Sequence, residues 1–141
     1  MSFRIVVGDW ESVRDDAQKV RIEVFVLEQN VPAELEWDEG DDVSTHAIAY
    51  DVQGQAVATG RLLPDGHIGR MAVIKSLRGF GLGSDVLKAL LHQARIDGHK
   101  ECRLHAQTHA LPFYAQHGFV AEGEEFLEAD IPHRLMRLAL N

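Results

Sequence analysis

The chain carries two rhythms of apolar residues, and their changes mark its elements. Residues 3–7, FRIVV, form a short β-branched run that predicts a strand. Ser12 followed by Asp15 has the form of a capping box, and apolar residues then recur at Val13, Ala17, Val20, Val24, Leu27 and Val31. Their spacing of 4, 3, 4, 3 and 4 predicts one amphipathic helix ending before Pro32. The segment PAELEWDEGDD is acidic and irregular, with room for a helical turn. HAIAYD (46–51) and AVATGRLL (56–63) predict two strands joined as a hairpin through Gln53 and Gly54, and HIGRMAVI follows as a third. A glycine cluster then leads into Val86, Leu87, Leu90, Leu91 and Ala94 at helical spacing, closed by Gly98. CRLHAQ (102–107) predicts a strand, ALPFYAQH (110–117) a short helix stopped by Gly118, and FVAEG and HRLMRLAL the final strands.

This order implies an α/β or α+β domain with a mixed central sheet of about six to seven strands. Only the strand, helix, strand unit over 67–107 demands a parallel pair. At 141 residues, with 45% hydrophobic positions, the chain suits one folded domain over 1–141 and is too apolar for a disordered segment. It carries 22 acidic and 14 basic residues, a net charge of −8, which argues against nucleic acid as a partner. Neither a signal peptide nor a membrane-spanning run is evident, and the single cysteine, Cys102, suits a reducing compartment. We therefore expect a cytoplasmic protein. The charge is divided: residues 9–42 hold 12 acidic and 3 basic residues, and residues 70–103 hold 7 basic and 3 acidic. Such asymmetry can mark different partners for different faces, or simply two solvated surfaces.

The chemistry concentrates in the loop Arg78, Gly79, Phe80, Gly81, Leu82, Gly83, followed by Ser84 and the helix. Glycines permit positive φ and leave no Cβ between peptide N–H groups and a ligand. Ahead of a helix N-terminus, such amides form an anion site suited to phosphate, and Arg78 adds a fixed positive charge. The loop lacks the lysine of a nucleoside-triphosphate P-loop and the G-x-G-x-x-G spacing of a dinucleotide fingerprint.

R-G-F-G-L-G, placed after the strand MAV and before an amphipathic helix, resembles the Arg/Gln-x-x-Gly-x-Gly/Ala signature of the GNAT superfamily of acyl-CoA-dependent N-acyltransferases. Gln107, Ala110, Phe113, Tyr114, Gly118 and Phe119 match that family's second pattern, N-x-x-A-x-x-F-Y-x-x-x-G-F, with glutamine in place of asparagine. The stretch RIEVFVLEQNVPAELEWDEGDD followed by His46 resembles the small bacterial ElaA-like subgroup. By this resemblance, the backbone of Met71, Ala72 and Val73 would run beside the pantetheine arm of acetyl-CoA where two parallel strands splay. The N–H of Val73 would face the acetyl carbonyl, amides from Arg78 to Ser84 would hold the pyrophosphate, and Gln107 would make the polar contact of the usual asparagine. Tyr114 would be the general acid that protonates the leaving thiolate.

The implied activity is transfer of an acetyl group from acetyl-CoA to a primary amine by direct attack in a ternary complex. The acidic stretch from Glu28 to Asp42 suggests a small cationic acceptor, such as a polyamine, amino sugar or amino-acid derivative. The alternative is a non-catalytic acyl-CoA-binding sensor, which would keep the loop without needing Tyr114. Glu28, His46, His105 or a water chain could deprotonate the amine, and the sequence does not choose among them. A His105 and His109 metal pair is not expected, because their spacing faces one way only on a helix. Cys102 reads as a small buried hydrophobe. The resemblance also suggests a homodimer.

Overall fold

The N-terminal apolar run forms β1 (Arg4–Asp9), which leads into α1 (Trp10–Arg21) in a computed structural model that describes residues 2–36 and 38–140. Asp9, not Ser12, caps α1: its carboxylate accepts from the Ser12 N–H at 2.9 Å and the Ser12 hydroxyl at 2.6 Å. The apolar periodicity gives no warning of what comes next. The helix widens into a π segment, Ile22–Glu28, and Leu27, predicted on the buried face, is turned out and 71% exposed. Two short turns follow, α2 (Ala33–Glu36) and α3 (Gly40–Val43), so the acidic stretch holds helical turns as expected; its Trp37 lies outside the described residues.

Strands β2 (Thr45–Tyr50), β3 (Ala56–Leu62) and β4 (His67–Val73), helix α4 (Leu82–Ile96), strand β5 (Glu101–Gln107) and helix α5 (Leu111–Gln116) fall within a residue or two of their predicted bounds, apart from α4, which begins inside the glycine cluster. The closing hairpin is longer than predicted. It pairs β6 (Val120–Glu128) with β7 (Ile131–Ala139) through Ala129 and Asp130, both at positive φ. Two positive-φ residues at a two-residue connection suit the right-handed twist of a hairpin, and here they occur without the glycine that usually signals the turn.

All seven strands join one sheet, ordered β1-β2-β3-β4-β5-β7-β6. Its pairs are antiparallel except β4 with β5, so the expected mixed α/β class holds. Alternation on β2 decides the layers. Ile48 joins the cluster of Val13, Ala17, Val20 and Val24 under α1, whereas Ala47 and Ala49 join Val86, Leu87, Leu90 and Leu91 of α4 on the other side. Small residues on the α4 side bring the helix close. A Cβ added at Gly60 would come within 2.5 Å of the Met71 sulfur and 2.9 Å of Leu90 Cδ1. Among the described residues, no helix is long and apolar enough to cross a membrane.

Leu90 is fully buried between α4 and the sheet. Replacing it by Ala is expected to lower unfolding stability by about 2–5 kcal/mol, read as a reduced urea midpoint with an unchanged slope.

Candidate functional site

Strand β4 is one residue too long for its partner. Thr59 pairs with Ala72 and Arg61 with Gly69, leaving Arg70 and Met71 opposite the single residue Gly60. This is a β-bulge, and Arg70 takes the left-handed conformation with φ of 51°. A non-glycine residue there costs of order 1–3 kcal/mol unless its surroundings hold it. Asp38 does so, accepting from Arg70 Nη2 at 3.0 Å. The bulge re-aims the strand: β4 pairs with β5 only at His67 with Arg103 and Ile68 with Leu104, and beyond Gly69 the parallel strands separate. The opening is a cavity of about 1140 Å³.

The cavity edge of β4 is polar backbone. Ile74 donates its N–H to Val57 O on β3 at 3.0 Å, so alternation along the strand turns the N–H and C=O of Val73, and those of Met71, toward the side β5 has left. The Val73 carbonyl accepts from Arg78 Nε at 3.0 Å. Met71, Ala72 and Val73 all contribute to the wall, as do Arg78, Gly79, Gly81, Leu82, Gly83 and Ser84. Phe80 does not; its side chain is 54% exposed outside the cavity.

The three loop glycines divide into two roles. Gly79 and Gly81 have φ of 90° and 83°, and a Cβ at either would meet nothing within 4 Å, so conformation and not packing selects glycine. Gly83 lies inside α4, where a Cβ would stand 3.3 Å from the Phe113 ring. Gly81 is the N-cap and brings no side chain, which leaves the first-turn amides and the positive end of a 15-residue helix for an anion. Ser84 Oγ lies 3.0 Å from His117 Nε2, a ring whose burial, with Lys88 nearby, disfavours its charged form.

Two further bridges reach this site from the π segment. Glu28 holds Arg78 through two hydrogen bonds of 2.6 Å, so the arginine is not a free charge. Its guanidinium keeps the Glu28 carboxyl below the usual carboxylate range. Beside it, Gln29 exchanges amide hydrogen bonds of 3.3 and 3.0 Å with Gln107, whose Oε1 also lies 2.6 Å from His109 Nε2. The π turn thus brings adjacent residues onto the leading positions of both sequence motifs. Nothing in the apolar spacing announced Gln29 or this geometry.

Tyr114 is in the wall, packed edge-on against Phe113 and Phe119. Among the described residues its hydroxyl has no hydrogen-bond partner, and burial pushes its pKa up to about 12, so the phenol keeps its proton near neutral pH.

The acidic stretch is not a free negative surface toward the cavity. Asp41 takes both terminal nitrogens of Arg21 at 2.9 and 3.0 Å and Arg61 Nη1 at 2.9 Å. Asp38 takes Arg61 at 2.6 and 2.9 Å as well as Arg70. Within that stretch the wall carboxylates Glu28 and Asp38 are therefore each compensated by arginine.

The proposed bases separate cleanly. His46 is buried outside the cavity wall, donates Nε2–H to the Asp41 carbonyl at 3.0 Å and lies tilted against Trp10, ring centroids 4.8 Å apart. Burial disfavours its charged form. His105 does share a face with Gln107, as strand alternation predicted, and both line the cavity. Its Nδ1 lies 2.9 Å from Glu128 Oε1, a residue the sequence did not single out. Cys102 is on the opposite face of β5, fully buried, and burial pushes its thiol up to about 11. No metal-binding cluster of His, Cys, Asp or Glu occurs among the described residues.

A bulged β4, a diverging β5 and a glycine-capped helix define one class of protein. Residues 13–140 match the acetyltransferase (GNAT) domain, and the chain belongs to that family. It is 44% identical over 138 residues to the uncharacterized N-acetyltransferase YjcF of Bacillus subtilis, covering 95% of this chain and 98% of that one. A crystal structure of an acyl-CoA N-acyltransferase from Pseudomonas aeruginosa superposes with a TM-score of 0.87 at 34% identity, covering 98% and 100% of the two chains. Escherichia coli ElaA superposes with a TM-score of 0.82 at 27% identity, covering 98% and 99%.

The clamp on the bulge should be pH-dependent. Hydrogen bonds from Arg61 hold Asp38 at about 2, below the ordinary 3.8, and the arginines on Asp41 outweigh a burial cost that acts the other way. A depressed native pKa gives stability that is present above the unfolded value and lost as pH falls through the native one. The urea midpoint should therefore fall steeply from about pH 4 to pH 2, and Asp38→Asn should flatten that fall while lowering the plateau at pH 7.

Proposed function

We propose that this chain transfers the acetyl group of acetyl-CoA to a primary amine of a small molecule, by direct attack in a ternary complex. The observation that carries the reading is the convergence, on one cavity, of β4 backbone that β5 does not pair, the glycine-capped N-terminus of α4 and the protonated Tyr114 phenol. The amides from Gly79 to Ser84 suit a pyrophosphate, and the edge of Met71 to Val73 suits the amide-rich pantetheine arm. Gln107 would reach that arm only by exchanging its contact with Gln29. The arginine-compensated carboxylates Glu28 and Asp38 do not by themselves select a cationic amine. A single buried cysteine fits a reducing compartment such as the cytoplasm.

In the transfer, the amine lone pair attacks the thioester carbon and negative charge develops on the carbonyl oxygen. A fixed N–H from Val73 would stabilise that charge. The tetrahedral species collapses, the C–S bond breaks, and the thiolate takes the Tyr114 proton. A phenol at about 12 is a weak acid for an ordinary thiolate, whose conjugate thiol has a pKa near 8.5. The same burial that raises Tyr114 would raise the thiol, as it raises Cys102 to about 11, and so keeps the transfer within reach.

Mixing the protein and acetyl-CoA with a panel of primary amines should release free thiol in an amine-dependent way. Tyr114→Phe should lower kcat by roughly 10²- to 10⁴-fold while leaving CoA affinity by calorimetry unchanged. Tight CoA binding with no turnover against any amine would instead favour a non-catalytic acyl-CoA sensor.

A further inference from the structure

The amine must lose a proton to attack, and the cavity wall offers several acceptors of unequal use. Glu28 is held by two bonds from Arg78, and Asp38 by Arg61 and Arg70, so both carboxylates are poor bases. His133 is buried, with Nδ1 2.6 Å from the Ile131 carbonyl, and His109 is committed to Gln107. His67 stands at the start of β4, where the two parallel strands are still paired, with Nδ1 3.0 Å from Asp65.

His105 differs from all of these. Continuing the parallel register, it lies opposite Gly69, one step past the last paired residues, Ile68 and Leu104. Gly69 leaves the space across from it open, since a Cβ there would meet nothing within 4 Å. Glu128 takes Nδ1 at 2.9 Å, and the edges of Phe126 at 5.0 Å and His67 at 6.2 Å orient the ring. A carboxylate on Nδ1 fixes the tautomer in which that nitrogen carries the proton and Nε2 offers its lone pair. Among the described residues Nε2 has no hydrogen-bond partner. The arrangement is a histidine oriented by a carboxylate at the mouth of a cavity, the usual construction of a general base.

We propose that His105, oriented by Glu128, takes the proton from the attacking amine. This rests on the N-acetyltransferase reading of the same cavity. Nε2 accepts the amine proton as the N–C bond forms, and the thiolate leaves with the proton of Tyr114. The imidazolium then returns its proton to solvent and the phenolate regains one, so each turnover consumes acetyl-CoA and amine and yields amide and free thiol. Glu128 is a positioning residue, and the other titratable or charged groups around the ring are His67 on β4, Arg103 on its own strand, and His133 and Arg137, which flank Leu135 on the same face of β7.

The test uses the full chain with acetyl-CoA and, in turn, a polyamine, an amino sugar and an amino-acid ester. His105→Gln should lower kcat by about 10²-fold or more, abolish the acid limb of the kcat/KM profile against pH, and leave CoA affinity and thermal midpoint unchanged. Glu128→Gln should lower kcat by a smaller factor with KM for acetyl-CoA unchanged, and added imidazole should partly restore His105→Ala but not Tyr114→Phe. If His105→Gln keeps both its rate and its acid limb, or if His67→Gln alone removes them, the assignment is overturned while the enzyme reading stands. If the wild-type chain releases no thiol with any amine, the enzyme reading falls and the base falls with it.

Discussion

Everything at this site depends on one surplus residue in β4. With Arg70 and Met71 set against Gly60 alone, the strand cannot stay parallel to β5, and a sheet that would otherwise be closed opens between its two central strands. Only a parallel pair can open in this way here, because α4 connects β4 to β5 and its N-terminus must lie at the end where β4 finishes. The gap and the anion-binding end of the helix are therefore products of the same connection. Backbone left unpaired inside a sheet is costly unless something bonds it, and this edge faces open space that a ligand rich in amides can fill.

Holding the bulge requires charge. Arg70 sits in a left-handed conformation against Asp38, which is gripped by Arg61, which also reaches the buried Asp41 and so Arg21 on α1. Within this network the Arg21, Asp41 and Arg61 side chains are buried, and removing one of those three leaves an unpaired buried charge, at a cost of about 3–5 kcal/mol, whereas the Asp38 and Arg70 end is solvent-screened and contributes less. The acidic stretch that might attract a cation is thus largely structural. It carries the α3 turn onto the sheet and fixes the wall of the cavity, and the division of charge along the chain reflects these internal pairs as much as any ligand.

Much of the fold was legible from periodicity and from glycine and proline punctuation. The misses have identifiable causes. Both Asp9 and Ser12 are good caps, and the carboxylate prevails because the Ser12 hydroxyl and N–H can both donate to it. The apolar spacing runs unbroken through Ile22–Glu28, so the π turn left no signal, yet it turns Leu27 outward and brings Glu28 and Gln29 to the cavity. Strand β6 was cut short because Glu122 to Glu125 lie exposed and the Ala129–Asp130 turn lacks glycine; Glu128 was lost with it. Of the candidate site, the glycine loop, Gln107 and Tyr114 were readable because each needs a particular residue type at a fixed spacing. The Phe80 side chain points outside the wall, leaving only its backbone to the loop, and His46 and His105 share the α1 face of the sheet, so only the strand order separates them: β2 is buried under α1, whereas β5 borders the gap beside β4.

The unpaired edge of β4 offers the most direct measurement. In amide hydrogen exchange, Ala72 and Ile74, whose N–H groups face β3, should be protected in the free protein, whereas Met71 and Val73 should exchange faster. Saturating acetyl-CoA should slow Met71 and Val73 selectively. If acetyl-CoA binds and those two amides exchange as before, the ligand does not lie along β4, and the account of the opened sheet as its seat is wrong.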